Sequence, residues 1–312
     1  MKKVFIDGSA GTTGLRIADR LKERKDIILL TLPEEKRKDV LSRKQMINEA
    51  DIVFLCLPDA AAREAVELIE NENTAVIDTS TAHRVSDGWE YGFAEIGAKK
   101  DKIAKSKRIA NPGCHASGFV ALVAPLVENG VISADALLTC YSLTGYSGGG
   151  KKMIAEYESE ENKQALQAPR TYGLTQAHKH LPEMAKYCGL KNEPVFCPIV
   201  SSYYSGMEVV VQLTNGQASA TIEQIKQIYK NYYTGKLVRF CDNADEDGFL
   251  SASAFSGFDD MQISVFGNNE RITLVARFDN LGKGASGAAI QNMNILLGKD
   301  ECEGLNLSEE QK

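Results

Sequence analysis

The chain lacks the features that mark secreted, metal-binding and membrane proteins. Its seven cysteines are scattered, odd in number and without a CxxC pair, so neither a disulfide framework nor a zinc knuckle is indicated, and we expect no metal site. No run of ~18 apolar residues occurs, so no membrane-spanning helix is predicted. The apolar stretch at the N-terminus is too short for a signal peptide. These absences favour the reducing cytoplasm as the location of the protein.

The sequence also lacks a surplus of positive charge. Lysine and arginine number 36 against 42 aspartate and glutamate residues, which gives a formal net charge of -6. Proteins that bind nucleic acid or membrane surfaces usually carry clustered lysine and arginine. We therefore expect neither a nucleic acid nor a membrane as a partner. A length of 312 residues with 43% hydrophobic content suits a globular enzyme of two domains.

Strands and helices alternate along the first third of the chain. Helical patterns at 39–49 and 59–70 separate apolar runs that predict strands at 3–7, 27–32, 51–57, 74–78 and 108–110. Strands that alternate with helices form a parallel, doubly wound sheet. We therefore expect an α/β, Rossmann-type domain over residues 1–112.

The pattern changes after Cys114. Helices are predicted over 118–127 and 221–232, and strands with little helix between them over 136–146, 206–213 and 272–278. This half, residues 113–283, is predicted to be an α+β domain with a mainly antiparallel sheet. A last helix is predicted over 285–297, and the final dozen residues are polar and expected to fray.

A glycine-rich loop joins the first strand to the first helix. Glycine lets the backbone approach a pyrophosphate, and the helix N-terminus offers N–H groups and the positive end of its dipole. The spacing is GxxGxxG rather than GxGxxG, and the alternative is a tight turn without a ligand. The strand–loop–helix context favours a bound dinucleotide. The residues expected to hold it are Gly8, Ser9, Ala10, Gly11, Thr12, Thr13 and Gly14.

The end of the second strand bears on the choice of nicotinamide cofactor. An NAD-binding protein usually places Asp or Glu there to hold the ribose 2′-hydroxyl, and this strand ends without one, although Glu34 and Glu35 follow. Three basic residues beyond them could meet a 2′-phosphate, or could form a solvated loop: Lys36, Arg37 and Lys38. We predict NADP(H) as the cofactor.

One cysteine stands out from the others. Cys114 closes the motif Asn-Pro-Gly-Cys, which begins at Asn111 and lies between a strand and a helical run. A cysteine near a helix N-terminus has a lowered pKa, and the thiolate is the reactive form. The sequence therefore makes Cys114 a candidate nucleophile, against the alternative of a small buried hydrophobic residue.

A thiol nucleophile needs a base, and the chain has four histidines. His83 follows the fourth strand, and His115 adjoins the cysteine, where neighbouring side chains usually diverge. His178 and His180 stand close to Glu183, so these three residues could form an acid–base relay. The alternative for two histidines in a loop is solvent exposure or a surface metal site.

At these motifs the chain resembles N-acetyl-gamma-glutamyl-phosphate reductases, of the semialdehyde dehydrogenase superfamily, and looks most like their short form. The resemblance covers most of the chain. It rests on five ordered motifs: GSAGTTG from Gly8, NPGC from Asn111, GYSGGGK from Gly145, HKHLPE from His178 and DNLGKGASG from Asp279. Long-form relatives commonly read NPGCYPT, whereas His115 follows the cysteine here, so substrate contacts do not transfer in detail.

The resemblance implies roles for particular residues. Cys114 is then the nucleophile, and His178, His180 and Glu183 form the acid–base segment, without a decision on which histidine meets the sulfur. The closing loop and helix, residues 284–298, return to the nucleotide domain and bring to the cofactor Asn280, Lys283, Gly284 and Gly287. The residues expected near the substrate are Arg84, Asn111, Ser147, Gly148, Gly149 and Lys151.

The implied reaction is the NADPH-dependent reduction of N-acetyl-L-glutamyl 5-phosphate to the 5-semialdehyde, with release of phosphate, in arginine biosynthesis. A cysteine thioester would form first, because it accepts hydride more readily than a carboxylate. The family's second domain normally forms the subunit contact, so a homodimer or homotetramer is expected. Whether the substrate amine carries acetyl or a carrier protein stays open.

Three other interpretations remain at this point. Aspartate-semialdehyde dehydrogenase shares the fold and chemistry but differs around its cysteine and histidine. A non-enzymatic nucleotide sensor would use Cys114 as a redox switch. A Rossmann-type scaffold would hold a structural, unreactive cysteine.

Overall fold

The structure is a computed structural model that describes residues 1–161, 163–214 and 216–309. The chain divides into two compact units, described separately below. The first unit contains Met1–Pro112 and Ala285–Leu305, and the second contains Gly113–Gly284 and the residues from Asn306 onward.

The first unit is built on a six-stranded sheet in which every neighbouring pair is parallel. Its strands are β1 (Lys2–Asp7), β2 (Ile27–Leu30), β3 (Ile52–Leu55), β4 (Ala75–Asp78), β5 (Glu90–Tyr91) and β6 (Arg108–Ala110). Its first four helices are α1 (Thr12–Lys22), α2 (Val40–Glu49), α3 (Asp59–Glu67) and α4 (Lys99–Lys105). The strand order β2-β1-β3-β4-β6-β5 confirms the predicted Rossmann-type doubly wound sheet.

Each face of this sheet has its own apolar core. Val4 and Phe54 lie in one core with Ile17 of α1, and Phe5 lies in the other with Ile47 of α2. Successive side chains of a strand point to opposite faces, and both faces are covered by helices. The strands are therefore apolar at nearly every position, which is why the sequence shows them as continuous runs.

The second unit combines helices with a seven-stranded sheet. Its helices are α5 (Cys114–Glu128), α6 (Gly150–Glu158), α7 (Lys163–Leu166), α8 (Leu181–Cys188) and α9 (Ile222–Tyr232). Its strands are β7 (Thr139–Gly145), β8 (Arg170–Thr171), β9 (Val195–Ser201), β10 (Met207–Thr214), β11 (Val238–Phe240), β12 (Met261–Gly267) and β13 (Arg271–Phe278).

The sheet order is β11-β12-β13-β10-β7-β9-β8. Four neighbouring pairs are antiparallel, and two, β7 with β9 and β11 with β12, are parallel. The predicted α+β class with a mainly antiparallel sheet is confirmed, and the two parallel pairs are additions that the sequence did not indicate.

Helix α5 crosses this sheet at close range. A Cβ at Gly118 would lie 2.5 Å from Val209 and 2.9 Å from the ring of Phe278, so only glycine fits there. Residues 115–126 of the helix are all buried. The predicted start at residue 118 was wrong: the helix begins at Cys114 itself, because the residues before the apolar run are also buried.

The last helix, α10 (Gly287–Leu296), packs in the first unit, where Ala289 and Met293 join the core that contains Val4. The expected fraying of the last dozen residues was wrong for the segment after it. The backbone N–H of Asn306 donates to Asp259 at 2.8 Å and that of Ser308 donates to Asp260 at 2.9 Å, because these buried carboxylates need donors. Residues 310–312 lie outside the described residues. Across the described ranges, every helix is too short or too polar to cross a bilayer.

Candidate active site

The glycine loop of the first unit packs tightly against neighbouring backbone atoms. Gly8 has a φ of 88°, and a Cβ there would lie 2.3 Å from the carbonyl oxygen of Cys56. A Cβ at Gly14 would lie 2.5 Å from the carbonyl oxygen of Gly8. Helix α1 begins directly after Gly11, so its first N–H groups follow a loop of small side chains. This arrangement fits a pyrophosphate at the helix N-terminus.

A cavity of about 880 Å³ opens beside this loop within the first unit. This volume lies in the range of cofactor sites. Gly8, Ser9 and Ala10 line it, together with Arg37 and Lys38 beyond the end of β2. Of the three predicted basic residues, Lys36 does not line the cavity, although Glu34 and Glu35 of the same short 3₁₀ turn do. The loop, the volume and the two cations fit a phosphorylated dinucleotide.

Sequence reasoning missed a buried ion pair in this cavity. The guanidinium of Arg43 donates to the carboxylate of Asp7 at distances between 2.9 and 3.2 Å, and both side chains are almost fully buried. Asp7 ends β1 directly before the glycine loop, and Arg43 comes from α2. The available signal was an aspartate at the end of an otherwise apolar strand.

Arg84 and Asn111 also belong to the first unit. The Nε of Arg84 donates to the carbonyl oxygen of Asn111 at 3.0 Å, and one terminal nitrogen donates to that of Thr79 at 3.3 Å. The Nδ2 of Asn111 donates to the carbonyl oxygen of Ala285 at 3.0 Å, and its Oδ1 accepts from Asn292 at 3.2 Å. The structure thus brings these two predicted substrate residues together.

His83, the residue before Arg84, makes a separate set of contacts within the first unit. Its Nδ1 is 2.6 Å from the carboxylate of Asp78, and its ring stacks on Trp89 with a centroid distance of 4.1 Å. Asp78 also accepts from the backbone and hydroxyl of Ser80. These contacts shape the turn that presents Arg84.

In the second unit, Cys114 is the first residue of the 15-residue helix α5 and is partly exposed. Three other cysteines lie where burial disfavours the thiolate form. Burial raises the pKa of Cys56 to about 12 and also raises those of Cys140 and Cys188. A reactive thiol needs access and a stabilised thiolate, so Cys114 is the stronger candidate nucleophile.

Glu183 anchors the start of the same helix. Its Oε2 accepts from the backbone N–H of Gly113 at 3.1 Å, and its Oε1 lies 4.0 Å from Nε2 of His180. Glu183 is 1% exposed, so this carboxylate is held inside the second unit. It links the cysteine turn to the histidine segment, 70 residues downstream.

The histidine segment forms a compact cluster around the residue that follows Cys114. The rings of His178 and His180 are 4.7 Å apart and lie edge to face. His115 lies 5.7 Å from the first ring and 5.6 Å from the second. We expected the side chain of His115 to point away from that of Cys114. His115 nevertheless belongs to the histidine cluster, and it lies on the first turn of α5, which begins at Cys114.

Both ring nitrogens of His115 meet hydroxyl groups. Its Nδ1 is 2.7 Å from Oγ of Ser142, and its Nε2 is 2.7 Å from the phenolic oxygen of Tyr172. Burial and the neighbouring His178 lower the pKa of His115 to about 3, so its ring is neutral near pH 7. Burial, with a contribution from the charge of Cys114, raises the pKa of Tyr172. Sequence reasoning found neither Ser142 nor Tyr172.

The glycine loop after β7 is tied to the segment that follows β13. The Nδ2 of Asn280 donates to Oγ of Ser147 at 3.1 Å, and its Oδ1 accepts from the N–H of Gly206 at 2.9 Å. Gly148 and Gly149 follow on the surface, and Lys151 is exposed on α6. The amide of Asn280, expected near the cofactor, thus makes its described bonds to this loop and to Gly206.

The segment after Asn280 also approaches the nucleophile. A Cβ at Gly284 would lie 2.9 Å from Cβ of Cys114, so glycine allows this close contact. Lys283 is buried, at 1% exposure, and Gly287 is the first residue of α10. Gly284, one of the four residues expected near the cofactor from this segment, therefore packs against the cysteine.

Two family models match the chain. A semialdehyde dehydrogenase NAD-binding domain matches residues 3–105, and a semialdehyde dehydrogenase dimerisation domain matches residues 114–280. Solved structures share the fold. Aspartate semialdehyde dehydrogenase II from Vibrio cholerae gives a TM-score of 0.72 at 17% identity, covering 96% of this chain and 99% of that one. The enzyme from Candida albicans, solved with NADP, gives 0.68 at 17% identity, covering 96% and 99%.

Sequence relatives are closer. N-acetyl-gamma-glutamyl-phosphate reductase 2 from Nostoc sp. is 44% identical, with 97% of this chain and 99% of that protein covered. N-acetyl-gamma-glutamyl-phosphate reductase from Chelativorans sp. is 44% identical, covering 95% and 98%, and that from Rhizobium meliloti is 43% identical with the same coverage. The structural likeness to aspartate semialdehyde dehydrogenases concerns the fold, whereas these relatives match in sequence over nearly their whole length. The chain therefore belongs to the N-acetyl-gamma-glutamyl-phosphate reductase family of the semialdehyde dehydrogenases.

Proposed function

We propose that the chain catalyses the NADPH-dependent reduction of N-acetyl-L-glutamyl 5-phosphate to N-acetyl-L-glutamate 5-semialdehyde, with release of phosphate, in arginine biosynthesis. The observation that carries the proposal is Cys114 at the first position of α5, with Glu183 bonded to the preceding N–H and the rings of two histidines packed around the next residue, His115. Membership of the reductase family supports the choice of substrate.

Cys114 acts as the nucleophile. Its thiolate attacks the acyl carbon of the substrate, phosphate leaves with the electron pair of the broken C–O bond, and a thioester remains on the sulfur. The backbone N–H groups at the start of α5 and the helix dipole stabilise negative charge at this position, first on sulfur and then on the acyl oxygen. Splitting the reduction in two in this way gives a better hydride acceptor than a carboxylate.

His178 and His180 supply the acid–base group. One of them, protonated, donates to the developing oxyanion, and positioned general acids typically contribute ~10²–10⁴-fold. Glu183 holds its carboxylate 4.0 Å from Nε2 of His180, so these two side chains lie close enough to form the acid–base relay. Separate His178→Asn and His180→Asn variants assign the acid: its loss lowers kcat, whereas the other change mainly alters KM.

The loop Gly8–Gly14 and its cavity hold NADP(H), and Arg37 and Lys38, which line the cavity, bind the 2′-phosphate. When bound, the reduced nicotinamide supplies the hydride. The C-terminal segment also contacts the cofactor, through Lys283, Gly284 and Gly287. Asn280 either contacts the cofactor as well or acts through the loop at Ser147. The proposed substrate contacts are Arg84, Asn111, Ser147, Gly148, Gly149 and Lys151, which offer cationic groups and N–H donors for phosphate and carboxylate.

We also propose that the chain forms a homodimer or homotetramer through its second unit, whose family model is a dimerisation domain. In the parallel pair β7–β9, Tyr141 lies opposite Cys197 and Leu143 lies opposite Ile199, so four partly exposed side chains share one face of the sheet. An apolar sheet face of this kind supports self-association. Light scattering tests it: Leu143→Glu should lower the molar mass to that of a monomer.

A reducing compartment keeps thiols free of disulfides, which supports a cytoplasmic location for a protein with a thiolate nucleophile. The decisive assay runs the reaction backwards with NADP, phosphate and either N-acetyl-L-glutamate 5-semialdehyde or aspartate semialdehyde. Phosphate-dependent formation of the reduced cofactor with the acetylated substrate alone is the expected result, and Cys114→Ser should abolish it. Turnover of aspartate semialdehyde alone would overturn the substrate assignment, and silence with both would favour a carrier-bound substrate or a nucleotide sensor.

A further inference from the structure

The side-chain amide of Asn280 is fixed in one orientation within the second unit. The backbone N–H of Gly206 donates to its Oδ1 at 2.9 Å. A backbone N–H can only donate, so this bond identifies the oxygen end of the amide. The nitrogen end, Nδ2, then faces its other partner, Oγ of Ser147, at 3.1 Å. Asn280 is 2% exposed, so water does not compete for these bonds.

This orientation determines what the hydroxyl of Ser147 can do. An amide Nδ2 is only a donor, so Oγ of Ser147 accepts from it and the O–H of Ser147 is left to donate. Within the part of the chain that the structure describes, this O–H has no protein acceptor. Ser147 is 1% exposed. Because a buried donor without an acceptor costs free energy, the position suits an acceptor that a ligand brings.

The backbone holds Ser147 in the same place. Its N–H donates to the carbonyl oxygen of Tyr204 at 3.0 Å, and the N–H of Gly145 donates to that of Gly206 at 2.9 Å. A Cβ at Gly145 would collide with the carbonyl oxygen of Tyr204, so glycine allows this close approach. These contacts fasten the turn Tyr146–Gly149 to the segment that also fixes the amide of Asn280.

A short path of contacts joins Asn280 to the nucleophile. Asn280 follows Asp279, whose carbonyl oxygen accepts from the N–H of Gly284 at 3.0 Å. A Cβ at Gly284 would lie 2.9 Å from Cβ of Cys114. The turn that contains Asn280 therefore packs on the cysteine, and the hydroxyl of Ser147 is bonded to this turn.

We propose that the Ser147 hydroxyl donates a hydrogen bond to an anionic oxygen of the substrate, and that Asn280 is the positioning residue that keeps this donor available. The acceptor is an oxygen of the phosphate group or of the α-carboxylate, since these are the anionic groups of the substrate. Asn280 then acts through Ser147 and not by contact with the cofactor. This inference rests on the proposed function for the identity of the substrate.

The reverse reaction separates the two acceptors, because phosphate and the semialdehyde, which carries the carboxylate, are different reactants there. Ser147→Ala should raise the KM of one of them about tenfold or more, the size expected for one lost bond to a charged acceptor. A rise for phosphate assigns the donor to the phosphate group, and a rise for the semialdehyde assigns it to the carboxylate. Unchanged KM values for both would overturn the proposal.

Asn280→Asp tests the part played by the amide. Aspartate keeps an acceptor for the N–H of Gly206 but offers Ser147 a second acceptor, which captures the hydroxyl proton. The KM that rises in Ser147→Ala should also rise in Asn280→Asp. The change at Asn280 should matter less in the Ser147→Ala background than in the wild type, because the hydroxyl that it captures is absent there. Equal effects in both backgrounds would refute the link between the two residues.

The affinity for the cofactor and a matched variant provide the controls. The Kd of NADPH, measured by fluorescence titration, should be the same in the wild type, Ser147→Ala and Asn280→Asp. A higher Kd in Asn280→Asp alone would show a cofactor contact and contradict the positioning role. Ser264→Ala removes another buried hydroxyl that has no partner among the described residues, and it should leave both KM values unchanged. If Asn280→Asp does not fold, Asn280→Ala replaces it in both measurements.

Protection of Cys114 from alkylation by iodoacetamide, followed by peptide mass spectrometry, needs no turnover. Inorganic phosphate and N-acetyl-L-glutamate are the probes, and one of them should be needed at about tenfold higher concentration in Ser147→Ala than in the wild type. This result in a wild-type chain that is inactive on N-acetyl-L-glutamate 5-semialdehyde would overturn the proposed substrate and leave the donor role of Ser147 supported. Equal protection of both proteins by both probes would count against the donor role.

Discussion

The neutral state of buried His115 should make the second unit sensitive to acid. Its pKa is lowered from 6.5 to about 3, chiefly by burial. As pH falls through 6.5, the unfolded chain takes up a proton at this residue and the folded chain does not. Folding stability is therefore complete above pH 6.5 and is lost progressively between pH 6.5 and about pH 3.

The size of the loss follows from the shift. One pKa unit corresponds to about 1.4 kcal/mol, so the wild-type free energy of unfolding should drop by about 1.4 kcal/mol for each pH unit below 6.5 from this residue alone. At pH 4.5, two units below the ordinary value, the loss should be roughly 2–3 kcal/mol.

A comparison with His115→Gln isolates this contribution, because glutamine does not titrate and every other group is common to both proteins. Equilibrium urea unfolding at pH 7, 6, 5 and 4.5 would be followed by pulsed hydrogen–deuterium exchange of peptides from α5. The variant should be less stable at pH 7 and should gain on the wild type steadily as pH falls. Tyr233→Phe serves as the control, because it removes a hydroxyl that donates to the carbonyl oxygen of Ala121 in the same helix. Its free energy of unfolding should differ from that of the wild type by the same amount at every pH. A difference for His115→Gln that does not change with pH would refute the burial argument.

The geometry of the first unit predicts the effects of four single changes and one double change. Gly8→Ala adds a Cβ 2.3 Å from a carbonyl oxygen, so it should lower Tm strongly and abolish NADPH binding in a thermal-shift titration. Gly88→Ala, which has a positive φ but open space around it, should cost only about 1 kcal/mol. Arg43→Met leaves the buried carboxylate of Asp7 without its cation and should destabilise by roughly 3–5 kcal/mol in urea, whereas the double change with Asp7→Asn should recover much of the loss. Arg37→Ser should raise KM for NADPH several-fold and leave KM for NADH unchanged, and equal effects on both would contradict its assignment to the 2′-phosphate.

Sequence analysis located the strands, helices and loops whose buried residues follow a regular local pattern along the chain. The strands of the first unit are apolar because helices cover both faces, and the glycine loop follows β1 directly. β9 escaped notice because it carries Pro198 and partly exposed residues, and proline usually argues against an inner strand. β8 has two residues and offers no pattern at all.

The residues of the candidate site fall into the same two groups, those that a local motif indicates and those that it does not. Cys114, His178, His180 and Glu183 lie in recognisable motifs, and contacts in the second unit gather them. The side chains that surround them come from distant parts of the chain: Tyr172 lies 57 residues beyond His115 and meets it only through the register of β7 and β9. Long-range pairing of this kind leaves no local periodicity, so a single sequence cannot indicate it.

Glu183 places a carboxylate at the turn that precedes the nucleophile. It accepts the N–H of Gly113 and so occupies one donor beside the helix end that stabilises the thiolate. A second negative charge close by raises the pKa of a thiol. Glu183→Gln keeps an acceptor for that N–H and removes the charge, so it should lower the pH midpoint of Cys114 alkylation by iodoacetamide, followed by peptide mass spectrometry.

The same carboxylate lies 4.0 Å from Nε2 of His180, and a protonated histidine would act on the thiolate in the other direction at low pH. Alkylation measured above pH 8, where an ordinary histidine is neutral, separates the two effects. A faster reaction of Glu183→Gln there means that the carboxylate opposes the thiolate directly. A slower reaction there would contradict a direct repulsion between the carboxylate and the thiolate.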